Sequence, residues 1–140
     1  WPLKFVPLAV NVIQHPLPTA ARCFKLGRAI RNAVEAYNDD FTVAIFGTGG
    51  MSHQLSGERF GYLNSEFDEW FLDQIEGDPS ALISMTHQEL MERAGVEAVE
   101  LIMWLVMRGA MSDQVERIHR NYYVPMTTGM GLITLENVLP

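Results

Sequence analysis

The chain is poor in the features that mark the more specialised classes of protein. It holds one cysteine, Cys23, in 140 residues, so no intrachain disulfide framework can form, and the expected compartment is a reducing cytoplasm. No apolar run approaches the roughly 20 residues that a bilayer-spanning helix needs. The amino end carries no charged-then-apolar leader. Basic residues are scarce too: 10 Lys and Arg stand against 17 Asp and Glu, a net charge of −7. A sequence-independent grip on phosphates needs a basic surface, so neither nucleic acid nor a membrane is an expected partner. Internal repeats and low-complexity segments are absent as well.

What remains is an ordinary globular composition, 48% hydrophobic and 19% charged, in a length suited to one domain that buries roughly two-thirds of its unfolded surface. The chain opens at Trp1 and enters an apolar segment, Leu3 to Val12, within two residues. Domain boundaries usually carry a polar or flexible leader, so the expectation is a start inside a fold, with residues 1–140 forming part of a longer domain.

Leu3 to Val12 reads as a buried strand, with Pro7 suited to an edge or bulge. From Thr19 to Tyr37, apolar Cys23, Leu26, Ile30, Ala33, Val34 and Tyr37 recur at helical spacing behind a Thr19 N-cap. A second strand is expected from Phe41 to Phe46. Strand, helix and strand in that order form the crossover unit of a parallel sheet, so the expected fold class is α/β with a mixed, mainly parallel sheet flanked by helices. Ser65 with Asp68 reads as a capping pair opening a helix that buries Phe67, Trp70, Phe71 and Ile75. Further helices are expected at Asp78-Pro79, at Thr86 to Glu89, from Val96 to Met111 and from Ser112 to about Arg120. The tail from Tyr122 to Leu139 reads as extended.

Two places carry chemistry. The first is Phe46-Gly47-Thr48-Gly49-Gly50-Met51-Ser52-His53-Gln54, where a short strand runs into a glycine cluster that delivers a histidine. Strand ends of open α/β sheets display reactive groups, and glycines let backbone approach a ligand closely. The phosphate-binding loop fails here because no lysine follows Gly50. The dinucleotide fingerprint fails for want of a helix, and the nucleophile elbow around Ser52 lacks its closing glycine. His53 remains, either as a hydrogen-bonded loop residue or as a catalytic one. The second place is Glu100, which helical spacing puts on the apolar face of Val96, Met103, Trp104 and Met107, while Glu97 can point to solvent. A buried carboxylate shifts its pKa or finds a cation. One reading pairs Glu100 with Arg93 or Arg108 or leaves it on a half-exposed helix flank; the other makes it a metal ligand. His15, His87 and His119 are scattered, and no close ligand pair suggests zinc.

Taken together, Gly47 to Leu55 with Gly57-Glu58-Arg59, Glu100-Leu101-Ile102-Met103-Trp104, Gln14-His15-Pro16-Leu17-Pro18 and Asn121-Tyr122-Tyr123-Val124-Pro125 strongly resemble the class III extradiol ring-cleaving dioxygenases. Within that family the resemblance is to the C-terminal half of catalytic subunits of the protocatechuate 4,5-dioxygenase and gallate dioxygenase type. It implies Fe(II) held by two histidines and one glutamate, with open positions for a catecholate and dioxygen. By this resemblance Glu100 is the glutamate ligand, and the two histidines lie upstream of Trp1, so none of His15, His87 and His119 is a ligand. His53 matches the acid/base histidine that takes a proton from a substrate hydroxyl and later returns one. Thr127 and Thr128 fall where the protocatechuate enzymes bind the substrate carboxylate, although Thr128 departs from their pattern. Packing in an extended strand is the alternative reading of both threonines. The implied partners are a catecholic acid, dioxygen, the upstream half of the same subunit, and a small helical subunit or a second copy in a homodimer. The competing expectation is a non-catalytic α/β binding or scaffold module that retains the fold without a complete metal site.

Overall fold

The computed structural model describes residues 3–40 and 42–138. Trp1, Phe41 and Leu139, which bound three of the sequence expectations, lie outside the described residues.

Helix α1 (Ala20–Glu35) starts where Thr19 Oγ1 accepts the Arg22 N–H at 3.2 Å, satisfying one of the amides that every helix start leaves open. Helices α2 (Ser65–Glu76), α3 (Ser80–Ser84) and α4 (His87–Ala94) follow as expected. At α4 the Thr86 hydroxyl and the Glu89 carboxylate cap each other's backbone in a full capping box. The cap of α2 differs from expectation: Asn64, not Ser65, accepts the Phe67 N–H, and Asp68 turns inward.

The expected single helix from Val96 to Met111 divides into a 3₁₀ turn, Glu97–Leu101, and helix α5 (Ile102–Ala110). An Ala98 N–H bond to the Gly95 carbonyl, three residues back, tightens its entry. With three residues per turn, positions i and i+3 eclipse. Glu97 therefore does not point away from Glu100; both face the 47–56 segment, and one Glu97 carboxylate oxygen is buried there.

Helices α1 and α5 cross closely because both are bare at the crossing. A Cβ on Gly27 would overlap the Val106 carbonyl oxygen, and one on Gly109 would overlap that of Phe24. Around this crossing, Phe67, Phe71, Leu72 and Ile75 of α2 pack with Leu101, Ile102, Leu105 and Val106, and with Met51 from the glycine loop. Arg108, 2% exposed, closes one end by donating to the carbonyls of Ile75, Gly77, Ser112 and Asp113.

The sheet departs from the sequence reading in two ways. The segment Ser112 to Arg120 is not helical: Val115–Tyr123 forms strand β1, antiparallel to β2 (Met130–Asn137), with a register irregularity between Arg117 and His119. Pairing overrides local preference because Tyr122, Ile133 and Leu135 pack against the core while Arg120 bridges to Glu69 and Asp73 of α2. The mainly parallel sheet is not found among the described residues. A strand exists only through a partner, and neither 3–12 nor 42–46 has a ladder; Phe5 is 82% exposed and Phe46 is 82% exposed. The described architecture is mixed: helices around one core, with a two-stranded antiparallel sheet laid on α2.

Gly109→Ala tests the crossing. Helix propensity favours alanine by about 1 kcal/mol, yet overlap with Phe24 should dominate and destabilise by about 1–3 kcal/mol. A lower urea midpoint is the expected result, and an unchanged or higher one would show that the helices separate at no cost.

Candidate active site

Residues 47–55 lie across the 3₁₀ turn and α5. Trp104 Nε1 donates to the Gly49 carbonyl at 3.1 Å, and Gly49 sits at φ 128, a region that side chains avoid. The Gly50 N–H donates to Glu100 Oε1 at 2.7 Å. A Cβ at Gly50 would stand 3.1 Å from Thr128 Cγ2, 3.2 Å from Glu100 Oε1 and 3.2 Å from His53 Cε1. Gly50 is thus the point on which His53, Glu100 and Thr128 converge.

His53 is 6% exposed. Its backbone N–H donates to the Ala94 carbonyl at the end of α4, and it forms an isolated antiparallel bridge with Thr128. The ring Nδ1 lies 2.7 Å from the Met51 carbonyl oxygen. A carbonyl only accepts, so Nδ1 carries a proton, and in the neutral form of the ring Nε2 is the basic nitrogen. Nε2 faces Glu100 Oε1 across 3.6 Å. Neither Arg93 nor Arg108 pairs with Glu100: Arg93 stacks on Phe67 and Trp70, and Arg108 is spent on backbone carbonyls. That removes the arginine pairing of Glu100; its side chain, 29% exposed, stands on a partly exposed flank, and the metal reading remains beside that one.

The other sequence candidates separate. The Thr127 methyl carbon lies 4.0 Å from where a Gly61 Cβ would stand, away from the convergence at Gly50. His15 and His119 are exposed, and His87 Nε2 bonds to the Pro18 carbonyl oxygen at 2.9 Å. Ser52 is fully buried, donating its hydroxyl to Asp68 Oδ2 at 2.6 Å and accepting the Asn64 N–H, which rules against its use as an open nucleophile. Among the described residues no group of three His, Cys, Asp or Glu could hold a metal ion.

Asp68 is the residue that sequence reasoning missed. Its side chain is completely buried; Oδ1 accepts the Ser52 N–H at 2.8 Å, and Oδ2 accepts the hydroxyls of Ser52 and Tyr122. Burial pushes its carboxyl above the usual range, while the bonds from Ser52 and Tyr122 and the nearby His53 pull the other way. The signal was present in the spacing: Asp68 shares the helix stripe of Leu72 and Ile75, where a carboxylate needs partners.

Over residues 1–133 the chain matches the catalytic LigB subunit of aromatic ring-opening dioxygenase, and it belongs to that family. It is 51% identical over 137 residues to the gallate dioxygenase of Pseudomonas putida KT2440, covering 98% of this chain and 40% of that protein. A shorter match, 33% identical over 64 residues, joins it to the 2,3-dihydroxyphenylpropionate/2,3-dihydroxicinnamic acid 1,2-dioxygenase of Photorhabdus laumondii, covering 46% of this chain and 20% of that one. The chain therefore spans less than half the length of either relative.

Tyr122 offers a check on this buried network. Burial first, then the Asp68 charge, pushes its phenol up from 10.0 to about 12. The folded state favours the neutral phenol, so this stabilisation is complete below about pH 10 and is lost as pH rises through about 12. Ultraviolet titration should show one of the 4 tyrosines ionising late. Tyr122→Phe should delete that late step; its persistence in the variant would assign it to another tyrosine.

Proposed function

We propose that this chain is part of the catalytic subunit of an Fe(II)-dependent extradiol dioxygenase that opens the ring of a catecholic acid of the gallate type with dioxygen. The observation carrying this reading is the convergence of a buried histidine base, a carboxylate and a hydroxyl-bearing residue on Gly50, in a member of the ring-opening family.

The donor chemistry at Glu100 fits one ligand of the metal. One carboxylate oxygen is held by the Gly50 N–H, which leaves Oε2 for a cation, and the side chain is 29% exposed. The two histidine ligands would come from the portion of the subunit matching the part of the gallate dioxygenase that this chain does not span. When bound, the iron would supply the electronic link between an electron-rich ring and dioxygen.

The chain's own residues then have separable tasks. His53 Nε2 takes the proton of a substrate hydroxyl; the resulting imidazolium keeps its Nδ1–H on the Met51 carbonyl and lies opposite the Glu100 carboxylate. The same nitrogen returns the proton as the ring carbon–carbon bond breaks and both oxygen atoms enter the product. Thr128, joined to His53 by a backbone bridge, orients the substituted side of the ring, and Thr127, which lies by Gly61, would reach only a substituent that extends beyond it. Fully buried Met51 and the Trp104 ring, which donates to the Gly49 carbonyl, hold the glycine loop on the core.

In the full-length subunit, Glu100→Ala should lose iron and turnover together. His53→Phe should keep iron while kcat falls by roughly 10²–10⁴-fold, the usual contribution of general acid–base catalysis. Metal analysis with a gallate ring-opening assay measures both, and an alanine variant retaining iron and full turnover would overturn the assignment in favour of a non-catalytic module.

A further inference from the structure

The buried network around Asp68 has a shape that a mere structural anchor does not require. The Met51 carbonyl and the Ser52 N–H belong to one peptide group. On one side its N–H is received by Asp68 Oδ1 at 2.8 Å; on the other its oxygen receives the His53 Nδ1 proton at 2.7 Å. A peptide is planar, so fixing one end fixes the direction of the other. Hydrogen bonds in series also polarise one another, and a carboxylate pulling on the N–H makes the carbonyl a stronger acceptor.

We propose that Asp68 is a positioning residue for His53, acting through the Met51–Ser52 peptide to hold the imidazole in its Nδ1-protonated form with Nε2 directed to the reacting site. The arrangement performs the work of a carboxylate bound directly to a histidine, with a peptide group inserted between the two. This rests on the role given to His53 above.

Everything around Asp68 keeps its carboxylate fixed. The Ser52 hydroxyl donates to Oδ2 and is itself fixed by the Asn64 N–H at 2.8 Å. Tyr122 donates to the same Oδ2 at 2.8 Å from strand β1. Gly129 exchanges backbone hydrogen bonds with Met51 and Ser52, and a Cβ there would overlap Oδ2. Helix α2, the glycine loop and the hairpin thus meet on one carboxylate, and the chain leads from there to one side of the imidazole only.

The first test needs no turnover. In the metal-free full-length subunit, ¹⁵N nuclear magnetic resonance of the histidines should show His53 as a single Nδ1-protonated tautomer. Asp68→Ala should convert it to a mixture of tautomers, whereas Asp68→Asn, which keeps an oxygen for the Ser52 N–H, should largely preserve the wild-type form. An unchanged His53 signal in a folded Asp68→Ala protein overturns the proposal. The second test is kinetic, on the iron-loaded subunit: Asp68→Ala should lower kcat roughly 10–100-fold with KM and iron content little changed, the scale expected when a group that orients a reactive side chain is removed. Placed in a His53→Phe background, the same change should cost no further activity, because coupled residues are non-additive. Equal losses in both backgrounds would mean a general structural role and would also overturn it. If the wild-type subunit opens no catecholic ring but the tautomer shift occurs, the positioning role stands and only the proposed reaction falls.

Discussion

The structure turns on one buried carboxylate that cannot be left without partners. Charge in an apolar interior costs several kcal/mol unless donors surround it, and Asp68 collects its donors from three separate elements: the backbone and hydroxyl of Ser52 in the glycine loop, Tyr122 on β1, and, through Ser52, the Asn64 amide that leads into α2. Each bond answers a local need, and together they fix the relative placement of loop, helix and hairpin. The hairpin, also held by Ile133 and Leu135 on the core and by Arg120 on α2, brings Thr128 beside His53 as a result.

Glycine works in the opposite sense, by leaving space. Where Asp68 pulls elements together, Gly50 and Gly49 permit the loop to lie directly on the 3₁₀ turn, so that a main-chain N–H reaches the Glu100 carboxylate. The 3₁₀ winding matters to this meeting, since it turns both Glu97 and Glu100 toward the loop. Arg108, a buried cation two turns along the chain, is taken up by carbonyl groups, and this leaves Glu100 without it as a partner.

How much of this was legible in the sequence depends on how local the cause is. His53 and Glu100 could be singled out because a histidine after four closely spaced small residues and a carboxylate on an apolar stripe are short-range signals. The caps at Thr19 and Thr86 were legible for the same reason. Asp68 was misread because Ser65 and Asp68 satisfy the capping spacing, and moving the true cap one residue back to Asn64 turned that side chain from surface to core. Strand β1 was illegible because its burial does not alternate from the start and its partner, β2, lies across a turn at Pro125 and Met126. The parallel sheet was inferred from two segments with strand-like composition, but composition shows only fitness for a ladder; pairing is a property of the partner.

The donor to Glu100 is the amide of Gly50, and this has a consequence for inheritance. A side-chain donor can be lost by nearly any codon change at its position; a backbone N–H survives every substitution except proline. What restricts position 50 is instead the volume of its side chain, since even one carbon would press on Thr128, Glu100 and His53 together. The orientation of the carboxylate is therefore carried by the main chain, and drift at this position would first close the space in front of it.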